Sequence, residues 1–452
     1  MTGTTCPAPA IVTAAREDAM HPINSPGATP ARHGVSRRQL LAGFAGLSTL
    51  AALGLSGCSA SATAGQSLRF YQTKREVIEY IRGLLADFHT EHPEISVVHD
   101  TAEGTLNGQF VRSTPPDLAL QLYNFEMSRF QERGELSDLS DLPQAAAIAP
   151  AVREQIELYP LYPGRTSVLP YSMMAAGVIY NKELFAKHDV AVPTTYSEFI
   201  TACETFEDAG VTPMYGTWAD AWSVKQGLVD YAVGGMVDVI EFFKQLRALG
   251  PDVTADSPVS FSRTLREPLE KMLKIAKFTN RDAKGRIYGD GNQAFAKGEA
   301  AMYLQGPWAL LEIEKVNPKL SVGTFPLPMT ENPADNKVRV NLDLALWIPS
   351  KAKNPDAARE LLKFLTQPAI QDEYNRFALG FGVRNDAPPV SDPRISELQP
   401  YVDSGAIYQG VSQGIPLTIP FENYCQDLVF GGNLEQMLAT LDADWVRLAK
   451  RA

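Results

Sequence analysis

Nucleophilic and metal chemistry need histidines, cysteines and carboxylates at particular spacings, and this chain of 452 residues is poor in the first two, with 6 His and 4 Cys. Beyond residue 57 the histidines are His89, His92, His99 and His188, too few and too scattered to suggest a serine-hydrolase triad. His89 and His92 stand at i, i+3, a spacing that can hold a metal, but they fall at a charged helix end beside Pro93 and read as solvated surface. No C-x-x-C or H-E-x-x-H occurs, so no metal and no other cofactor is expected. Carboxylates are plentiful, with 52 Asp and Glu. A glycoside hydrolase needs only two of them across a bond, yet no segment carries the signature of one, and no residue is read as catalytic. Tryptophan is distributed unevenly: of five Trp, three fall in two short segments, Trp218-Ala-Asp220-Ala-Trp222 and Trp308.

The composition is that of a globular chain, 45% hydrophobic, 21% charged and 9% aromatic. Its length suits two or three compact units with room for a cleft between them. With 41 Lys and Arg against 52 acids the net charge is −11, and no basic run appears, which argues against nucleic acid as a partner. Residues 1–35 are rich in Pro, Ala, Thr and Gly without apolar periodicity and read as disordered. Arg37-Arg38 then precede an uncharged segment of Leu, Ala, Gly and Phe from Leu40 to Gly57, the order of an export signal, and the Arg pair points to the twin-arginine route. The segment closes on Leu55-Ser56-Gly57-Cys58, which resembles the lipobox of bacterial lipoproteins, so Cys58 is the expected lipidation site. Removing residues 1–57 takes away four Arg and two acids and leaves 395 residues with a charge of −13. Residues 58–67 read as a flexible tether, and no later segment is apolar enough to span a bilayer, so the lipid is the expected membrane attachment. Cys203 and Cys425 remain; Cys203 sits in a helical pattern as a small buried hydrophobe, and a disulfide between the two is not expected.

The positioning elements alternate between strand and helix. Ser67-Leu-Arg-Phe-Tyr71, Ile95-Ser-Val-Val98 and Pro116 to Leu122 read as strands. Between the first two, Val77, Ile78, Ile81, Leu84, Leu85 and Phe88 recur at helical spacing until Pro93. A helix is expected near 126–133, ending at Gly134. Gly177-Val-Ile-Tyr180 is strand-like. Thr195-x-x-Glu198 is a capping box that opens a helix with Phe199, Ala202, Cys203 and Phe206 on one face. A last amphipathic helix covers 434–449. The class is α/β with a βαβ layout.

An ordered set of segments then carries a family resemblance. Phe295-Ala-Lys-Gly-Glu-Ala-Ala-Met302-Tyr-Leu-Gln-Gly306-Pro307-Trp308 resembles the signature segment of extracellular solute-binding proteins of carbohydrate ABC importers, the maltose-binding group. Pro116-Asp117 with Gly134-Glu-Leu-Ser-Asp138-Leu139 agrees, as do Leu169-Pro170-Tyr171, Val178-Ile-Tyr180-Asn181-Lys182, Val192-Pro193-Thr-Thr195, Gly323-Thr-Phe-Pro-Leu-Pro328 and Ile348-Pro-Ser-Lys351. The resemblance covers roughly residues 68–450. It implies a two-lobed periplasmic-binding-protein-like clamp with discontinuous lobes and a hinge cleft: lobe 1 from 68–171 and 340–386, lobe 2 from 172–339 and 387–452. It further implies a non-enzymatic monomer, lipid-anchored outside the cell, that hands a carbohydrate to membrane permease subunits. A ligand-presenting receptor would use the same clamp. Two departures stand out. Pro163-Gly164-Arg165 replaces the family's Gly-Lys-x-Tyr-Gly pattern, and Met173-Met174 stand where polar contacts are frequent.

A pyranose has apolar C–H faces and a rim of hydroxyls, so its site needs aromatic platforms beside polar groups. On the resemblance, Trp218, Asp220, Trp222 and Trp308 lie at the cleft. Trp308 matches the stacking tryptophan of Gly-Pro-Trp. Asp220 suits either two adjacent hydroxyls or a helix N-cap, and one of Trp218 and Trp222 is expected in the core. Asn124 and Glu126, after the third strand, suit ligand contact and helix capping equally. Tyr171 is expected at the cleft floor, and Gln72 and Asp343 at its edges. Arg384 is a candidate donor that a salt bridge suits better.

Overall fold

The computed structural model describes residues 66–102, 106–157 and 159–450. The leader, Cys58 and the tether up to residue 65 lie outside the described residues. Nine strands carry the architecture: β1 (Gln66–Tyr71), β2 (Ile95–Asp100), β3 (Leu118–Gln121), β4 (Leu169–Asn181), β5 (Thr212–Met214), β6 (Ala300–Gln305), β7 (Val322–Phe325), β8 (Val338–Trp347) and β9 (Ile407–Gln409). β1 opens at Gln66, so the last two residues assigned to the tether already belong to the sheet. The strand order is β2-β1-β3-β8-β4-β6-β5, with β7 on β4 and β9 on β8. β1 pairs in parallel with β2 and β3, and the helix Ile78–Glu91 makes the crossover between β1 and β2.

Two strands run through both parts of this sheet. The first half of β4 pairs with β8 from Leu169 opposite Leu346 to Ala176 opposite Arg339, and its second half pairs with β6 and β7. β8 lies against β9 at its start and against β3 at its end. All thirteen residues of β4 and all ten of β8 are buried. Only the 177–180 part of β4 reads as a strand from sequence because a strand covered on both faces loses alternation, and register shifts between Pro170 and Met173 interrupt the rest.

Two hydrophobic clusters flank these strands. One gathers residues of 68–175 and 338–398 together with Phe295, Tyr303, Leu310 and Ile313; the other gathers Ala176, Val178 and much of the chain from Tyr180 to Met329, with residues 411–445. Phe295, Tyr303, Leu310 and Ile313, which the family-based division puts in lobe 2, thus pack with the first cluster. The asparagine and threonine caps are local. Asn124 accepts from Met127 N–H (3.0 Å) at the start of the helix Phe125–Glu132. Thr195 and Glu198 form the expected capping box of Tyr196–Asp208, and Cys203 is buried on that helix. Cys203 and Cys425 are both free thiols. The last helix is Leu434–Ala449. Among the described residues no helix is long and apolar enough to cross a membrane.

Candidate functional site

In open α/β sheets ligand contacts gather at the C-terminal ends of the parallel strands. Beyond the ends of β1 and β3 lies a cavity of about 270 Å³, lined by Thr73, Lys74, Glu76, Gln121, Leu122, Trp222, Gln226, Trp308, Asn341, Asp343 and Leu344. Two indoles therefore face one space with amides, a lysine and two carboxylates around them. The volume is near the lower limit of ordinary ligand sites, roughly 300 Å³.

The indoles are held differently. Gly306 leaves room for Trp308 to fold back: a Cβ on Gly306 would collide with the ring. Pro307 then starts the helix Pro307–Val316. Trp308 is partly buried against both hydrophobic clusters, and its Nε1–H donates to Gln305 Oε1 (3.1 Å). With its N–H engaged inside the protein, Trp308 has mainly its π surface to present. Trp222 lies on the short helix Ala221–Val224, edge-on to Tyr288 with centroids 5.2 Å apart. A π-helical turn, Lys225–Val229, follows directly and carries Gln226 to the cavity; such turns are frequent at functional sites.

The polar rim is organised by long-range contacts. Lys74 Nζ lies 2.6 Å from Asp343 Oδ2, both side chains almost buried, at 13% and 10% exposure. Thr73 Oγ1 donates to Gln121 Oε1 (3.2 Å). Lys74 balances one of the two carboxylates and leaves the cavity with the excess negative charge of Glu76.

The expected site residues divide accordingly. Trp222, Trp308 and Asp343 line the cavity, and the rest do not. Gln72 is fully buried: its Nε2 donates to Lys74 O (3.0 Å) and its Oε1 accepts from His99 Nε2 (3.2 Å), so it shapes the turn that carries Lys74. Asn124 is the helix cap described above, and Glu126 accepts from Asn107 Nδ2 at 3.5 Å, its one partner among the described residues. Tyr171 is not on an open floor. It is fully buried against Tyr374, centroids 4.9 Å apart, and burial pushes its phenol far up. Trp218 is 8% exposed in the second cluster, the core member of its pair. Asp220 occupies the N-cap position of Ala221–Val224, where its carbonyl accepts from Ser223 N–H (2.9 Å) but its carboxylate does not cap the helix; its Oδ2 instead accepts from Tyr288 N–H (2.7 Å), so it holds the ring against which Trp222 rests. Arg384 forks onto Asp372 (2.9 and 3.1 Å) and reaches Asp386, a structural salt bridge. Sequence reasoning passed over Thr73, Lys74, Glu76, Gln121, Gln226 and Asn341; the signal for the first four was their place just after β1 and at the end of β3.

Two other features compete for attention. A larger groove, about 600 Å³, is lined by Phe125, Arg129, Arg247, Trp445 and others, but its one tryptophan is 8% exposed and belongs to the core. The smaller cavity has the paired platforms and the strand ends. Residues 410–414, Gly-Val-Ser-Gln-Gly, do fit the G-x-S-x-G spacing of a nucleophile elbow, which the expectation against a hydrolase overlooked. Ser412 Oγ donates to the buried Asp230 (2.8 Å) and is bonded to no histidine, so the serine is structural.

The family model described as bacterial extracellular solute-binding protein matches residues 73–372. The chain belongs to this family. The solute-binding protein is 26% identical over 344 residues to the multiple sugar-binding protein of Streptococcus mutans, covering 74% of this chain and 79% of the relative. It is 24% identical over 336 residues to the melibiose/raffinose/stachyose-binding protein MelE of Bacillus subtilis, 71% and 76% of the two chains. Its fold is similar to that of the solute-binding protein RafE in complex with raffinose, with a TM-score of 0.74 at 20% identity over 85% of this chain and 99% of the other. It is similar also to the GacH receptor of Streptomyces glaucescens, TM-score 0.63 at 21% identity over 86% and 99%. The solute-binding protein is thus an α/β two-lobed clamp.

Proposed function

We propose that this solute-binding protein captures an extracellular carbohydrate in the cavity beside Trp222 and Trp308 and delivers it to the membrane subunits of an ABC importer. The observation that carries the reading is the pair of indoles facing one cavity whose rim offers Lys74, Glu76, Gln121, Gln226, Asn341 and Asp343. Aromatic faces suit sugar C–H faces, and the mixed donors and acceptors suit hydroxyls. The relatives named for melibiose, raffinose, stachyose and multiple sugars support the class of ligand. Trp222, Trp308 and Asp343 are the ligand contacts retained from the sequence, and no residue is given a catalytic task.

Lobe 1 comprises 68–171 and 340–386 and lobe 2 comprises 172–339 and 387–452 in this proposal, with β4 and β8 as the hinge, since each pairs with strands on both sides. A ligand touching β1–β3 loops and the Trp222 and Trp308 helices favours the closed state by the difference in its affinity for the two states. The protein is exported, acts as a monomer and is held at the outer face of the membrane by lipid on Cys58.

Thermal shift against melibiose, raffinose, stachyose, maltose, galactose and glucose tests the reading, because a ligand bound only by the native state raises its melting point. At least one sugar raises it at millimolar concentration or below. A flat response across that panel rejects a carbohydrate ligand, and a shift from amino acids or peptides in its place names the class of ligand taken instead.

A further inference from the structure

A fully buried ion pair sits directly behind the cavity wall. Arg339 on β8 is 1% exposed and Asp230, the first residue after the π-helical turn, is 0% exposed. Arg339 Nε and Nη2 both lie 3.2 Å from Asp230 Oδ2, and Ser412 donates its N–H (2.9 Å) and hydroxyl (2.8 Å) to the same carboxylate. The packing is close: a Cβ on Gly410 would collide with the Asp230 carboxylate. A buried pair of this kind contributes little net stability compared with apolar residues of the same volume, so its presence points to a positioning task.

The remaining arm of the guanidinium shows what is positioned. Arg339 Nη1 donates to Asn341 Oδ1 (3.2 Å), and Asn341 lines the cavity. Arginine has only donors, so the amide atom facing it must be the oxygen, and the orientation of Asn341 is set by chemistry. The Asn341 NH2 group has no hydrogen-bond partner in the protein among the described residues and is left for the cavity.

We infer that the Arg339–Asp230 pair is a positioning device that commits Asn341 to donating, making Asn341 a ligand-contacting and specificity-determining residue of the carbohydrate site proposed above, on which this inference rests. Asp343, two residues further on the same face of β8, supplies the opposite polarity: Lys74 engages its Oδ2, while Oδ1 has no partner among the described residues. Positions i and i+2 of a strand are about 7 Å apart, a span covered by a vicinal diol and its two hydrogen bonds. One hydroxyl donates to Asp343 and the other accepts from Asn341. The wall therefore suits a sugar with two adjacent hydroxyls, one turned to donate and the other to accept.

Asn341→Asp separates the ideas. The aspartate keeps an acceptor for Arg339 but adds a carboxylate beside Asp230 and Asp343 at a position only 7% exposed, so the ligand-free protein melts somewhat lower than wild type, and the NH2 donor is replaced by an oxygen that can only accept. Leaving such a group unsatisfied costs a factor of roughly 5 to 140 in affinity, read by calorimetric titration with whichever of melibiose, raffinose, stachyose, maltose, galactose and glucose shifts wild type most. The second arm removes the device: in Arg339→Met with Asp230→Asn, the amide of residue 341 is free to turn and no longer presents its NH2 group in advance, so the penalty of adding Asn341→Asp becomes smaller, the coupling that a double-mutant cycle measures. A merely structural pair would lower the melting point and leave that penalty unaltered. Wild-type affinity in Asn341→Asp overturns the inference by itself, even where the combined variant does not fold. A wild type that binds none of the six sugars overturns the carbohydrate reading, and this inference with it.

Discussion

Trp308→Ala is the substitution with the most to say about the site. The indole contributes in three ways: a face in the cavity, an N–H bonded to Gln305 and partial packing against both hydrophobic clusters. Loss of an aromatic platform removes about 1–3 kcal/mol of ligand binding, by analogy with bases stacked on aromatic side chains, which is roughly a 5- to 140-fold weaker Kd. The folded state also loses something, since Gln305 is 2% exposed and its Oε1 is left without a donor at a cost of about 1–3 kcal/mol. A fully buried tryptophan would cost more, about 3–5 kcal/mol. Calorimetric titration of the sugar identified by thermal shift, alongside denaturant unfolding of the ligand-free protein, measures both quantities on one variant. Trp308→Phe divides them further: the platform survives and the bond to Gln305 does not, so affinity stays within about threefold while stability still falls. Unchanged affinity in Trp308→Ala, together with a large loss of stability, would refute the assignment and make this residue part of the core.

Trp218→Ala behaves in the opposite way: stability falls by about 3–5 kcal/mol in denaturant unfolding, because Trp218 is 8% exposed within the second cluster, and the folded fraction binds the sugar as wild type does. His99 makes stability depend on pH. Burial first, and Arg82 second, hold its pKa below the ordinary histidine value, against the pull of Asp100 and Glu79. The folded state thus takes up its proton later than the unfolded state, so stability is full above about pH 6.5 and declines as pH falls through that value; melting curves between pH 8 and pH 5 should show the decline, and His99→Gln should flatten it. Cys58→Ala abolishes acylation, so mass spectrometry of the membrane fraction finds a lipidated Cys58 N-terminus in wild type and none in the variant; an unmodified mature chain beginning elsewhere would contradict the lipobox reading.

What the sequence determined by itself was everything held by neighbours within a few residues. The capping box of Thr195 and Glu198 and the terminal helix 434–449 follow from local hydrogen bonds and a 3.6-residue period. The Gly306-Pro307-Trp308 start follows from a ring that needs a glycine beside it. The family resemblance also singled out Trp308, Trp222 and Asp343, three of the residues that line the cavity. Only the tertiary structure decided the wall around them. Lys74 meets Asp343 across 269 residues and Arg339 meets Asp230 across 109, and no local pattern encodes such encounters. Trp218 and Trp222 would share a face on one helix, but the helix starts at Ala221, so the first turns into the core and the second into the cavity. β4 and β8, buried on both faces, show no alternation from which their inward residues could be read. Asn341 therefore looked like any strand asparagine until the pairing of β8 put it between a buried arginine and an open cavity.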